Sequence, residues 1–179
     1  MAEHVSETEA PSAHAGRVSD VLLGARGGIA STVYGTVVVM ATLTAAYASE
    51  KDPWKLAVIV LSTAFVLWIA HLYAHGLSES IQFDRRLTLA EAKTLARREL
   101  GILLAALLPC AALVVGAIGI LDETAAVWLA LALGLATLAA EGVRYARMER
   151  IGPIGLFAAV AGNVVLGSFV VLLKVVVAH

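Results

Sequence analysis

Five long apolar runs, near residues 31–49, 56–77, 101–121, 125–143 and 153–177, constrain this chain more than anything else in it. A helix needs about 20 residues, rising roughly 1.5 Å each, to cross the hydrocarbon of a bilayer. The runs have that length. Of the 179 residues 60% are apolar and 15% charged, against about 45–50% and 25% in a soluble domain. A globule of this size cannot hide so much apolar surface from water, so the solvent of the runs is lipid. There every backbone N–H and C=O must be paired internally, which leaves α-helices or a closed barrel. The runs lack the period-two alternation of barrel strands. The expected fold is an all-α membrane protein, five transmembrane helices in a compact bundle that makes up residues 31–179.

The links refine this reading. Pro53 and Pro153 stand where the second and fifth helices begin, and a first-turn proline gives up an N–H that would be orphaned anyway. Asp122-Glu123-Thr124 is short enough to demand a tight antiparallel hairpin. In the longest link, Thr88-Leu89-Ala90-Glu91 has the form of a capping box. It predicts a cytoplasmic interfacial helix leading into the third span, with Arg85, Arg86, Arg97 and Arg98 at the headgroup level. Residues 1–30 carry Glu, Ser, Pro and Gly without a sustained helical period and read as a mostly disordered cytoplasmic tail. A short helix capped by Ser19 would break at Gly24 and Gly27-Gly28. Pro109 is expected to kink the third span.

Orientation follows from the distribution of Lys and Arg. Ten of the 13 fall on the side of the N-terminus; Lys51, Lys55 and Lys174 fall on the other. The cytoplasm takes the basic side, so the N-terminus is expected inside and the C-terminus outside. Trp54 and Trp128 then sit at the outer ends of their spans, where an aromatic belt belongs. Ala, Val, Leu and Arg are abundant and Lys is scarce, which points to a bacterial inner membrane. The net charge of -1 leaves no footprint for nucleic acid. The single cysteine, Cys110, excludes an intrachain disulfide.

Polar residues inside spans are costly and mark candidate function. His71 and His75, spaced i and i+4, share a helix face with Glu79. Imidazoles in that pattern can carry a proton, or with Glu79 hold a metal ion. Glu141 lies at nearly the depth of His71, which makes the two a candidate titrating pair; Arg144 at i+3 competes for the same carboxylate. Thr36 and Tyr34 fall near that depth, on a stripe of Thr32, Thr36 and Thr44 whose hydroxyls can instead bond back to the i−4 carbonyls. Asn163 lies near the middle of the last span, on a stripe with Gly155, Ala159 and Gly167. Small residues at this spacing let helices approach closely. The stripes Ala126, Ala130, Gly134 and Ala132, Ala136, Ala140 in the fourth span are expected to pack likewise, within the chain or in a homo-oligomer.

No Walker loop, dinucleotide glycine motif, TVGYG-type filter or Gly-x-Ser-x-Gly elbow is present. The His71–His75 pair resembles that of the progestin-receptor and alkaline-ceramidase group of membrane hydrolases, but the further His, Asp and Ser of that group have no counterpart. Three functions remain. The first is an oligomeric channel or transporter for protons or small cations, with His71, Glu141, His75, Thr36, Tyr34 and Asn163 along its path. The second is an accessory protein that binds partner helices. The third is a metal-dependent membrane enzyme using His71, His75 and Glu79. No organic cofactor is expected.

Overall fold

A computed structural model describes residues 12–83 and 88–177 as six helices. They are α1 (Ser12–Ala46), α2 (Pro53–Phe83), α3 (Leu89–Arg98), α4 (Gly101–Ala117), α5 (Glu123–Met148) and α6 (Pro153–Val177). Four of them are long and apolar enough to cross a membrane singly, over Gly28–Ala46, Pro53–Ile81, Glu123–Met148 and Pro153–Leu172. Helices α3 and α4, bent by 40° at Glu99–Leu100, together have the length and composition of one broken span or a re-entrant loop, so the bundle holds four crossings, or five if the pair is one span. The chain is a compact helical bundle with the character of a multi-pass membrane protein.

Contacts at the two ends of α4 show how deep it runs. Its first residue, Gly101, lies against Ser31 and Thr32 of α1, and Gly116 near its end lies against Pro53 and Ala126. It therefore traverses the bundle from the start of the α1 span to the start of α2 and α5. Glycine is required where the backbones come this close: a Cβ at Gly35 would stand 2.7 Å from the Ile102 Cα. The core between α1, α2, α4 and α5 is closed by Met40, Leu43, Leu56, Val60, Leu113 and Leu131. Helix α6 packs on α5 and α1 and is the least buried of the four single spans. Most of its surface faces whatever surrounds the bundle.

The capping box forms as the spacing predicts. Thr88 accepts from the Glu91 N–H, and the Glu91 carboxylate accepts from the Thr88 N–H at 2.8 Å. Other expectations change. Helix α1 reaches back to Ser12, through Gly24 and Gly27-Gly28, where a break was expected. Each interior glycine costs about 1 kcal/mol, less than is needed to interrupt a helix already nucleated by its membrane span. The rest of the expected tail, residues 1–11, lies outside the described residues, as do Arg85 and Arg86. Helix α4 continues through Pro109, and the bend falls at its start instead. Of the two stripes on α5, Ala126, Ala130 and Gly134 are buried, whereas Ala132, Ala136 and Ala140 are exposed. The second stripe is not a packing face within the chain, because its side of α5 is turned away from α1 and α4.

Candidate functional site

The α3–α4 bend concentrates polar chemistry at one end of the bundle. A helix end leaves carbonyls without intrahelical donors, and two of those at the end of α3 are taken by neighbouring helices. Trp68 of α2 donates its indole N–H to the Ala96 carbonyl at 3.3 Å, and Ser31 of α1 donates to the Arg98 carbonyl at 3.2 Å. Directly after the second latch comes Glu99, the C-cap of α3 and only 4% exposed. Its carboxylate Oε1 is 3.5 Å from His75 Nδ1.

A run of contacts leads from Glu99 into the span. His75 and His71 lie with ring centroids 5.8 Å apart, edge to face. His71 in turn lies against Tyr34 of α1 at 4.9 Å. The i, i+4 spacing on α2 brings the imidazoles together. Tyr34 reaches them because Gly35 lets α1 and α4 approach, which holds α1 close to the bend. On its other side Tyr34 lines an open cleft of about 710 Å³ between α1, α5 and α6, which Asn163 also lines. Tyr34, His71, His75 and Glu99 thus form one polar track, and the cleft joins it to Asn163.

The remaining candidates go elsewhere. Glu141 is held by Arg144 of its own helix, whose Nη1 lies 3.4 Å from both carboxylate oxygens. Among the described contacts it does not meet His71. Thr36 is fully buried and donates to the Thr32 carbonyl at 2.8 Å, and Thr32 donates to Gly28 at 2.8 Å. Both hydroxyls serve their own helix. Asn163 donates its side-chain N–H to the Leu138 carbonyl at 3.0 Å and clamps α6 to α5. Glu79 faces the groove between α2 and α3 beside Glu91 and Arg98. Among the described residues no group of three His, Cys, Asp or Glu side chains is arranged to hold a metal ion, so the set His71, His75 and Glu79 does not close into one.

Glu99 is the residue that sequence reasoning missed. It follows Arg97-Arg98 at the mouth of the third span and looks like one more headgroup-level charge. The signals that mark it are Gly101 two residues on, which admits the close contact with α1, and His75 across the bend. No protein-family model matches the chain, and no characterised protein or solved structure shows a significant likeness to it.

Proposed function

We propose that this membrane protein moves protons, or a small cation in exchange for them, through an assembly of more than one copy. The observation that carries this reading is the contact track Tyr34–His71–His75–Glu99. Imidazole is the side chain whose unperturbed titration lies near neutral pH. Ionisable groups within spans mark ion and proton pathways, and here a buried carboxylate lies against an imidazole. The track covers the half of the bundle nearest the bend. Beyond it the interior is filled by Met40, Leu43, Leu56 and Val60, so a full crossing runs along an interface between copies. The sparsely buried faces of α2 and α6 offer the surface for that contact. The charge bias supports a reading in which the track faces the cytoplasm.

Flux into liposomes carrying the purified protein, read with a pH dye under a potassium gradient, tests the reading. Wild type is expected to conduct. His71→Ala and Glu99→Gln are each expected to lower the rate at least about tenfold, a barrier change of about 1.4 kcal/mol. Glu141→Gln, whose carboxylate is engaged by Arg144, is expected to conduct like wild type. Unchanged flux in His71→Ala sinks the assignment.

A second reading, an accessory protein that binds partner helices, draws support from the polar groups that are locally satisfied. Thr32, Thr36 and Thr137 bond back to their own helices, and Glu141 bonds Arg144. Absence of flux under every gradient, together with a stoichiometric membrane partner on purification, would favour it.

A further inference from the structure

We infer that the α3–α4 bend is a hinge with two hydrogen-bonding states, and that Trp68 and Ser31 hold it in the bent one. In a continuous α-helix each N–H reaches the carbonyl four residues back. The Leu100 N–H would then take Ala96, and the Ile102 N–H would take Arg98. Here both reach only three back, to Arg97 at 3.4 Å and to Glu99 at 3.1 Å. The carbonyls they give up are the two that the neighbouring helices take: Ala96 accepts from the Trp68 indole and Arg98 from the Ser31 hydroxyl. Donors on α2 and α1 thus compete with the backbone of the bend for the same acceptors.

The straight state is within reach of the bent one. No proline enforces the bend, since Pro109 stands further along α4. Glu99 has φ -86° and ψ 0°, and Leu100 has φ -56° and ψ -22°. Turning the two ψ angles by about 40° and about 20° brings both to α-helical values and joins α3 to α4. Few partners are lost on the way. Leu100 and Ile102 exchange one carbonyl for another, and Ser31 keeps the Gly28 carbonyl at 3.3 Å. The bond left without a replacement is that of Trp68. Packing holds α3 lightly, because Leu95 is its one buried residue. Elements with two discrete arrangements of this kind are what conformational switches are built from. Glu99 lies on the hinge itself, with His75 across from it on α2, so straightening turns the carboxylate away from the imidazole. That consequence makes the hinge a gate on the polar track. The gate rests on the transport reading; the hinge does not.

The test measures the swing of α3 in the full-length protein in phosphatidylcholine nanodiscs. Spin labels are carried by cysteines at exposed Lys93 of α3 and exposed Ser78 of α2, in a Cys110→Ala background. Lys93 lies about 9 Å from Glu99 along the helix, so removing the 40° bend moves it by about 6 Å. The otherwise unsubstituted protein is expected to show one main distance. Trp68→Phe combined with Ser31→Ala is expected to raise a longer-distance population at least fivefold, with the helical circular dichroism signal undiminished. Trp68→Phe alone, which keeps an aromatic ring in place, is expected to raise it by less. Thr94→Ala, which removes a hydroxyl bonded to its own helix, is expected to leave the distribution unchanged. An unchanged distribution in the double variant overturns the hinge. A longer distance with loss of helical signal also overturns it, because α3 would then be unravelling. Proton flux in the double variant is expected to differ from wild type at least threefold. Equal flux with shifted distances removes the gate and leaves the hinge. Absence of flux in wild type removes the transport reading and the gate with it, while the distances still decide the hinge.

Discussion

Three carboxylates near helix ends fare differently in this chain, and the difference is set by what surrounds each. Glu50, in the link between α1 and α2, accepts from the backbone N–H groups of Lys51 and Asp52 and pairs with Lys55 at 3.1 Å. The Asp52 N–H first, and Lys55 after it, hold its carboxyl below the ordinary carboxylate range. A value depressed in the folded state stabilises the fold above the unfolded pKa of about 4.3 and ceases to do so as pH falls through the lower folded value. The group is exposed, so water screens the effect and it is small. Glu50→Gln is expected to melt slightly below wild type at pH 7, with the gap closing by pH 3; a gap that persists at pH 3 would show that the charge is not its source. Glu141 was legible as a residue with a partner three positions on, because i, i+3 neighbours are fixed by helix geometry. Glu99 was not, because its burial depends on α1, α2 and α4 meeting around it.

At the scale of elements the same division holds. The capping box of α3 and the prolines at the starts of α2 and α6 depend on neighbours within a few residues, so they could be read from the chain directly. Which face of α5 is buried could not, since both alanine stripes have suitable spacing and only the arrangement of α1 and α4 selects one. The approach of α5 to α6 is fixed by Gly142, where a Cβ would stand 2.9 Å from the Val160 Cα. Backbone cannot yield as a side chain can, so Gly142→Val is expected to push the helices apart and cost about 1–3 kcal/mol. Gly162→Ala, on the same helix pair but facing open space, is expected to be neutral or to stabilise by up to about 1 kcal/mol through helix propensity. Denaturation of the two variants in mixed micelles separates these outcomes, and equal stability would show that the Gly142 contact does not hold the helices together.

For the whole molecule, five crossings and the charge bias combine into one prediction about topology. Helix α4 begins beside Ser31 and ends beside Pro53, so the bent pair α3–α4 reaches from one end of the bundle to the other. An odd number of crossings puts the termini on opposite sides. If α3–α4 entered and returned on one side, four crossings would leave both termini together, and Lys51 and Lys174 would face opposite compartments. The chain's single cysteine, Cys110, makes this measurable, because Cys110→Ala gives a cysteine-free background in one step. A cysteine at exposed Ser49, in the link after α1, is expected to react with a membrane-impermeant maleimide added to intact cells. One at exposed Lys93, on α3, is expected to react only after the membrane is opened. A third at Thr124, near the start of α5, carries the decision on α4: with five crossings it shares the outer side with Ser49, and both react in intact cells. Labelling of Ser49 with protection of Thr124 would mean that α4 does not cross. The polar track at the bend would then lie in a re-entrant segment instead of at the mouth of a span.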